Sequence, residues 1–491
     1  MTGITDTDRD ADLEGSVDGL ARWRPDLSAH VTLSGGQRWT LIAAGVAAAA
    51  ALFAAPRAAV IAVNGLLVGL YAAAVVYRVL LFRASLRGGA LTRIPDDEAL
   101  ALPGHQLPPY TVLVPVYKEP EVVGQLLAAL DALDYPRDLL DVRLLVEADD
   151  AATIAAAQAA RPGPHVTVVA VPPAQPRTKP KALNYGLSAA RGDLVTIYDA
   201  EDLPEPLQLR RAVAALQRLG PDFACVQARL DYYNPQQNLL TRWFTIEYGA
   251  WFAHLLPGLA RLGAPIPLGG TSNHFRRDAL DAVGGWDPRN VTEDADLGIR
   301  LDRFGYHVGV LDSTTLEEAN SDAVNWVKQR SRWYKGYLQT WLVHMRNPLR
   351  TYRELGFRGF IGLNLFVAGT PLLAVLNPAT WFLSILWLVA QPAFIEALFP
   401  GPTYYLALAC LVLGNLACLY LNVLSARLND TPELVPAALL MPGYWVLMSL
   451  AAAKAWLQLI LTPSFWEKTT HGLSTVDPNH HIASEHTGAT R

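Results

Sequence analysis

Five stretches without a charged residue constrain this sequence most, because each is long enough to require an apolar environment. They span residues 39–56, 58–77, 359–395, 397–426 and 434–453. A helix needs about 20 apolar residues to cross the hydrocarbon core of a bilayer. Residues 359–395 exceed that length, and Asn377-Pro378 predicts a turn within them. We therefore predict about six membrane-spanning helices, two before and four after a long polar middle region.

Arginine residues flank the polar middle region, residues 78–358, on both sides. They are Arg78, Arg83, Arg87, Arg93, Arg346, Arg350, Arg353 and Arg358. Positive charge beside membrane spans marks the cytoplasmic side. The abundance of alanine, and of arginine over lysine, indicates a bacterial source. We therefore predict a multi-pass protein of the bacterial inner membrane, in contact with the lipid bilayer, whose middle region and both termini are cytoplasmic.

The composition excludes several classes of protein. Hydrophobic residues make up 51% of the chain and charged residues 17%, whereas soluble domains carry about 25% charged residues. General disorder, a coiled coil and an ordinary soluble enzyme are therefore excluded. The net charge of −5 provides no positive field for phosphates, so no nucleic acid is expected as a partner.

The middle region alternates between apolar runs and helical spacing, which is typical of an α/β domain. Residues 111–116 are apolar on both faces, as in a buried parallel strand. Further strands are predicted near residues 142–146, 165–171 and 193–198, with alanine-rich helical stretches between them. Ligands of such sheets bind beyond the carboxyl ends of the strands.

Acidic residues follow two of these strands. The sequence Glu147-Ala148-Asp149-Asp150 follows the second strand, and Asp199-Ala200-Glu201-Asp202 follows the fourth. Neither glycine-rich nucleotide motif, G-x-G-x-x-G or G-x-x-x-x-G-K, occurs, which argues against dehydrogenases and P-loop enzymes. Carboxylates hold a diphosphate through a cation, and Mg²⁺ or Mn²⁺ takes one or two carboxylates together with phosphate oxygens. Acidic helix caps and turns are the alternative interpretation.

Several ordered motifs resemble those of family 2 glycosyltransferases, in particular the membrane-embedded cellulose, chitin and hyaluronan synthases, over roughly residues 105–345. They are Val114–Glu119, Lys179–Asn184, Asp199-Ala200-Glu201, Thr292-Glu293-Asp294 and Gln329-Arg330-Ser331-Arg332-Trp333. The resemblance implies an α/β GT-A (Rossmann-like) cytoplasmic domain inserted between transmembrane helices. It also implies a nucleotide-sugar donor, such as a UDP-hexose, and Mg²⁺ or Mn²⁺ as cofactor.

The resemblance assigns roles to individual residues. Donor-binding residues would be Asp149, Asp150, Lys179, Gln329 and Arg332; metal ligands would be Asp199, Glu201 and Asp202; catalytic residues would be Asp294, as the base, and Glu293; acceptor-binding residues would be Trp333 and Thr292. The family has Asp where this chain has Glu201, so the choice between Glu201 and Asp202 as the second ligand stays open. Independently, Gln329, Arg332 and Trp333 stand at i, i+3 and i+4 and share one helix face.

Two further stretches are predicted to contribute to the site. Gly269–His274 is expected to form a floor for a ligand, with His274 structural rather than metal-binding. Phe465–Gly472 resembles, in its position, the gating loop of cellulose synthases; an interfacial aromatic anchor is the alternative.

The predicted organisation divides the chain into seven parts. These are a disordered cytoplasmic N-terminus (1–37), two membrane helices (38–78), a linker (79–109), a GT-A domain (110–320), an amphipathic interface helix (321–357), four membrane helices (358–462) and a C-terminal loop and tail (463–491). The resemblance predicts a processive, inverting transferase that elongates a β-linked polysaccharide and extrudes it across the inner membrane. A transferase acting on a lipid carrier, and a receptor or export component with a degenerate domain, are the alternatives.

Overall fold

The computed structural model of the chain describes residues 6–463 together with Phe465 and Glu467. Its first part is helical. It contains α1 (Asp6–Trp23), α2 (Gly35–Ala54), α3 (Pro56–Ser85) and α4 (Asp96–Ala101), followed by a 3-10 turn at Gly104–Gln106. The side chain of Ser34 accepts a hydrogen bond from the backbone of Gln37 and so caps α2. Pro56 begins α3 at a position where a backbone N–H has no helical partner anyway.

The middle region folds into one eight-stranded mixed sheet flanked by helices. Its elements in chain order are β1 (Tyr110–Val116), α5 (Val123–Asp131), β2 (Leu140–Glu147), α6 (Ala151–Ala159), β3 (Val166–Val171), α7 (Lys179–Ser188), β4 (Leu194–Ile197), β5 (Leu203–Pro204), α8 (Gln208–Leu219), β6 (Phe223–Tyr232), α9 (Leu239–Ala250), α10 (Leu256–Leu262), β7 (Asn273–Arg276), α11 (Arg277–Ala282), α12 (Glu293–Arg303) and β8 (His307–Glu317). A π-helical turn, Trp251–Leu255, joins α9 to α10.

The strand order is β3-β2-β1-β4-β7-β6-β8-β5. The first four strands in this order are parallel, and β7 runs antiparallel to both of its neighbours. The strands predicted from the apolar runs are therefore confirmed as β1 to β4. Alternate residues of β1 enter different cores, because Leu113 packs on one face of the sheet and Val112 and Val114 pack on the other.

The last part of the chain is again helical. It contains α13 (Ala323–His344), α14 (Pro348–Gly362), α15 (Gly369–Ala390), α16 (Ala393–Leu398), α17 (Pro402–Ala409), α18 (Asn415–Leu428), α19 (Val435–Ala438) and α20 (Met441–Leu461). π-helical segments join α14 to α15 (Leu363–Ala368) and α17 to α18 (Cys410–Gly414), and a 3-10 turn (Pro432–Leu434) precedes α19.

Among the described residues, five helical stretches are long and apolar enough to cross a membrane, rather than six. They are Gly35–Ala54, Pro56–Ser85, Pro348–Ala390, Pro402–Leu428 and Met441–Leu461. The turn predicted at Asn377-Pro378 is wrong, because Pro378 lies inside α15. A break there would leave several backbone groups without partners in hydrocarbon, whereas a proline in a continuous helix frees few of them.

The expected disorder of residues 1–37 is also wrong over much of that range. Val17 and Leu20 of α1 are buried, and Asp18 forms an ion pair with Arg289 (2.9 Å). The Ser28 hydroxyl donates to buried Asp287 (3.2 Å). These few apolar side chains pack on the middle domain, and the polar composition of the segment gives no sign of that contact.

Two predicted segments are divided differently in the structure. The linker predicted at 79–109 contains the end of α3 and all of α4, because Leu81 lies against Gly258 of α10. A Cβ on Gly258 would lie 2.3 Å from the Leu81 carbonyl oxygen, so only glycine permits this contact. The interface helix predicted at 321–357 is two helices, α13 and α14, and Pro348 begins the second.

Candidate active site

A cavity of about 610 Å³ opens at the carboxyl ends of β1, β2 and β4. Its walls come from the sheet, from α12 and α13, and from the helices α3, α15, α18 and α20. Most of the residues singled out from the sequence line it, namely Lys179, Asp199, Glu201, Thr292, Glu293, Asp294, Gln329, Arg332 and Trp333. The fold thus brings side chains more than 150 positions apart in the sequence to one space.

The three predicted metal ligands do not behave alike. Asp199 and Glu201 line the cavity. Asp202 is buried, and its Oδ2 accepts hydrogen bonds from the Asp199 backbone N–H (2.7 Å) and the Thr271 hydroxyl. Burial, reinforced by the charge of Asp199, raises the pKa of Asp202 well above its usual range. Asp202 therefore holds the turn after β4 in place, whereas Asp199 and Glu201 both line the cavity.

The residues present fit a divalent cation that is shared with a diphosphate. Asp199 and Glu201 offer carboxylate oxygens to the cavity, and within residues 6–463 no group of three His, Cys, Asp or Glu side chains is arranged to hold a metal. Mg²⁺ and Mn²⁺ sites of this kind take one or two carboxylates and complete their shells with phosphate oxygens and water. Such an ion would neutralise the charge of a bound diphosphate.

We expect chelation to abolish activity and Mg²⁺ or Mn²⁺ to restore it. Asp199→Ala should weaken nucleotide binding only when metal is present, because its carboxylate acts through the ion. The measurement is nucleotide affinity by calorimetry with and without metal. Asp193→Ala, an exposed aspartate just before β4, is the control. Equal affinity in both conditions for the wild-type protein would remove Asp199 and Glu201 from this role.

Lys179 occupies the centre of this end of the cavity. Its ammonium group donates to Asp199 and to the carbonyl oxygen of Gly270 (2.7 Å). Burial opposes its charge, but Asp199 and Glu293 prevail and raise its pKa above the usual value. Lys179 thus supplies a permanent positive charge beside the carboxylates. Gly269, Gly270 and Thr271 line the same wall, as predicted for the floor of the site.

The acidic residues after β2 are arranged differently from the prediction. Asp150 is buried, accepts the backbone N–H of Lys118 (2.5 Å) and caps α6 through the N–H of Thr153 (3.3 Å). It holds together the turn after β1, where Lys118 has a φ of 56°. Asp149 lies outside the cavity wall and pairs with Arg177, which lines it (2.9 Å).

The carboxylate that β2 presents to the cavity is Glu147, the first residue of the acidic run after this strand, to which the sequence analysis gave no role. Glu147 pairs with buried Lys181 at 2.6 Å. It is the last residue of β2, which is buried throughout, and the sequence does not show which carboxylate of the run turns into the cavity.

Thr292, Glu293 and Asp294 form the first turn of α12. Helix α13 packs directly on this turn, since a Cβ on Gly336 would lie 2.4 Å from the Thr292 side chain. Gln339 accepts a hydrogen bond from the Val291 backbone (3.2 Å) and so anchors the preceding segment to the same helix. Asp294 Oδ1 accepts the N–H of Ala295 (2.7 Å), and Oδ2 lies next to Gly270.

The two carboxyl groups of this turn have raised pKa values. Burial is the main cause for both, and the charge of Asp294 raises the pKa of Glu293 further. Lys179 and Arg332 act in the opposite direction on each of them. A buried carboxylate whose pKa moves toward neutrality suits a general base.

The shared helix face predicted for Gln329, Arg332 and Trp333 is confirmed on α13, and all three side chains line the cavity. The charge of Arg332 is stabilised by Glu293, Asp199 and Asp294, although burial lowers its pKa. Trp333 stacks on Tyr248, with ring centroids 6.2 Å apart and an interplanar angle of 29°. Arg332 thus faces the carboxylates, and Trp333 faces the aromatic side of the cavity.

Sequence analysis missed the pair that holds Trp333. Arg330 lies inside the same motif and donates both arms of its guanidinium group to Glu247 of α9. Its Cζ atom lies 4.7 Å from the centroid of the Trp333 ring. The Tyr444 hydroxyl of α20 donates to Glu247 as well (2.6 Å). Arg330 and Glu247 are 83 positions apart in the sequence, and no local sequence pattern predicts that they pair.

Two other predictions concern residues away from this centre. His274 is buried and contacts the Tyr110 hydroxyl (2.7 Å) and Gln208 (3.3 Å), and burial lowers its pKa to about 3. It is therefore structural, as expected. Of the segment Phe465–Gly472, only Phe465 and Glu467 are described; Glu467 pairs with Lys454 at 2.8 Å. The rest of the predicted gating loop lies outside the described residues.

Comparison with known proteins agrees with this geometry. Residues 108–336 match the family described as "Glycosyltransferase like family 2". Beta-monoglucosyldiacylglycerol synthase of Synechocystis is 30% identical over 281 residues, which cover 56% of this chain and 58% of that protein. Probable glucomannan 4-beta-mannosyltransferase 1 of Arabidopsis thaliana is 29% identical over 244 residues, or 47% of this chain and 43% of that protein. The chain therefore spans about half the length of these curated relatives.

A solved structure shares the architecture. The mannosyltransferase of Pyrobaculum calidifontis, in complex with GDP-Man and Mn²⁺, has a TM-score of 0.51 and 20% identity. The match covers 78% of this chain and 99% of that one. This likeness confirms the predicted GT-A type of fold.

Proposed function

We propose that the protein is a membrane-bound, inverting hexosyltransferase that uses a nucleotide-sugar donor, because residues 108–336 match the family 2-like glycosyltransferases. The observation that carries the proposal is the shared cavity. Asp199, Asp294 and Arg332 line it together, so a cation ligand, a proton acceptor and a diphosphate-binding guanidinium group are within one bound substrate's reach.

The residues divide the work of the reaction. Asp294 accepts the proton of the acceptor hydroxyl, whose oxygen then bonds to the anomeric carbon. The bond from that carbon to the diphosphate breaks, and the nucleoside diphosphate leaves with its electron pair. Arg332 and Lys179 stabilise its charge, and a divalent ion bound at Asp199 and Glu201 would add to this. Direct attack inverts the anomeric centre, so an α-linked donor yields a β-linked product.

Two acceptors fit this chemistry. A growing polysaccharide, as in a processive synthase, is supported by the aromatic wall at Trp333 and by the continuation of the cavity between the helices. A lipid acceptor is supported by the candidate membrane spans and by the glycolipid synthase among the relatives. In both cases the cytoplasmic side of the bacterial inner membrane would supply the donor. A degenerate receptor is disfavoured because the carboxylates and Arg332 all face the cavity.

The test is a panel of radiolabelled nucleotide sugars with the purified protein in detergent. Release of nucleoside diphosphate and labelling of a lipid or polymer fraction are followed in parallel. Release from at least one donor, with a product of inverted anomeric configuration, is expected. No release from any donor would contradict the proposal, and the size of the product separates polymer from single transfer.

Trp333→Ala is expected to reduce transfer to acceptor by about 100-fold while leaving donor hydrolysis nearly unchanged, because the indole faces the acceptor side of the cavity. Trp333→Phe should retain part of the activity, since stacking depends on a broad aromatic face. The measurement compares labelled product with free nucleoside diphosphate. Trp39→Ala, on the exposed surface of α2, is the control. Normal transfer by Trp333→Ala would disprove the platform role.

A further inference from the structure

The cavity continues beyond Trp333 into helices that are long enough to span a membrane, and its walls there are partly polar. Three helices each contribute two polar side chains seven residues apart: Tyr71 and Arg78 of α3, Thr370 and Asn377 of α15, and Asn415 and Asn422 of α18. Seven residues are about two helical turns, or roughly 10 Å. The bundle therefore presents two levels of polar groups to the cavity.

Two polar atoms on these walls are buried without a hydrogen-bond partner among the described residues. They are the hydroxyl oxygen of Tyr77 and the Oδ1 atom of Asn377. A buried polar atom without a partner is costly, and in a membrane helix it marks a functional site. These atoms indicate that the part of the cavity between the helices binds a polar group rather than alkyl chains alone.

Among the described residues that line the cavity at the level of Asn377 and Asn422, Arg78 carries the charge. No acidic side chain of the described residues forms an ion pair with it. Arg78 lies close enough to α13 for its charge to act on Tyr334. Burial raises the pKa of Tyr334 to about 12, and the charges of Arg330 and Arg78 oppose this rise. Glu247, the carboxylate on this side, is already held by Arg330 and Tyr444. The guanidinium group of Arg78 is thus left for an anion that the protein does not supply.

Arg78 is partly buried and lies about two turns before the end of α3. Helix α3 ends at the middle domain, where the Ser85 hydroxyl contacts His254 at 3.3 Å. Side chains lean toward the N-terminus of their own helix, so Arg78 leans away from the domain and into the bundle. Arg83, one turn nearer the domain, is exposed and does not line the cavity.

We propose that Arg78, assisted by the polar groups of Tyr77 and Asn377, binds the phosphate of a lipid acceptor that enters this cavity from the bilayer. The phosphate of such a lipid lies between its apolar tail and its acceptor hydroxyl, so that Arg78 holds the phosphate while the hydroxyl reaches Asp294. The inference rests on the proposed function and selects a lipid over a growing polymer as the first acceptor. Two sources share this chemistry: a glycerophospholipid with a hydroxylated head group and a sugar linked to an isoprenyl diphosphate.

In the test, the whole chain in detergent micelles is supplied with one acceptor at a time. The acceptors are phosphatidylglycerol, an isoprenyl diphosphate-linked monosaccharide, diacylglycerol and a free oligosaccharide. Wild-type protein should glycosylate one of the first two best, and which one identifies the source. Arg78→Gln should raise the KM for that lipid roughly 10- to 100-fold, as expected for loss of a charged hydrogen bond. Arg78→Lys should be intermediate, and Arg83→Gln should match the wild type.

Nucleoside diphosphate release without acceptor is the second readout, and it should be the same for Arg78→Gln and the wild type, which also shows that the variant is folded. Equal use of diacylglycerol or of free oligosaccharide by the wild type would overturn the inference. So would an unchanged KM, or a matching loss of donor release, in Arg78→Gln. Absence of release from any donor by the wild type would instead contradict the proposed function itself.

Discussion

Asp294→Asn is expected to reduce hexosyl transfer by about 10²- to 10⁴-fold, the usual contribution of a general base. The amide keeps the shape of the side chain and its contact with the N–H of Ala295, but it cannot accept the proton of the acceptor. Donor affinity should change little, because the proposed diphosphate-binding residues are Lys179 and Arg332. Initial rates of transfer, with donor affinity measured separately, check both parts of this expectation.

The pH profile provides an independent test of the same residue. Because burial raises the pKa of Asp294, the active deprotonated form is present above that raised pKa and is lost as the pH falls through it. The acidic limb of kcat/KM should therefore lie nearer to neutrality than for an ordinary aspartate, whose pKa is about 3.9. Asp302→Asn, on the same helix but outside the cavity, is the control. If Asp294→Asn keeps more than about a tenth of the activity, Asp294 is not the base.

The fold was predictable where local pattern and burial agree. Residues 111–116 of β1 are almost all apolar and buried, as a central parallel strand requires. The continuity of α15 through Asn377-Pro378 was not predictable in this way, since local propensity favours a turn there while the surrounding hydrocarbon favours an uninterrupted helix. The ordering of α1 also escaped prediction, because it depends on a binding surface for Val17 and Leu20 that only the folded domain creates.

The site shows the same division. Motif residues on a single element were predictable: the resemblance selected Gln329, Arg332 and Trp333, and helical spacing alone predicted that they share one face. Roles that depend on the direction of a side chain were not predictable. Asp150 and Asp202 are buried and hold turns in place, whereas neighbouring carboxylates face the cavity. The Glu247–Arg330 pair depends on how α9 packs on α13, and such contacts carry no signature in either segment.

Arg332→Lys is expected to lower kcat/KM for the donor by about 100-fold, although the positive charge is kept. Arg332 faces the cluster of Asp199, Glu293 and Asp294, where the diphosphate must arrive against several negative charges. A planar guanidinium group bonds two phosphate oxygens at once in a fixed geometry, whereas an ammonium group is a single point of charge. Removal of one such preorganised donor costs about 10²- to 10³-fold in rate, and Arg332→Gln should reach the upper end of that range.

The decisive measurement is donor hydrolysis without acceptor, because it separates Arg332 from its neighbour on the helix. Arg332→Lys should lose hydrolysis and transfer together, whereas Trp333→Ala should lose transfer alone. Arg353→Lys, an exposed arginine of α14, serves as the matched control and should leave both rates unchanged. Full hydrolysis with impaired transfer in Arg332→Lys would assign the guanidinium group to the acceptor instead. The charge holding the leaving diphosphate would then have to come from Lys179, which donates to Asp199, together with the proposed divalent ion.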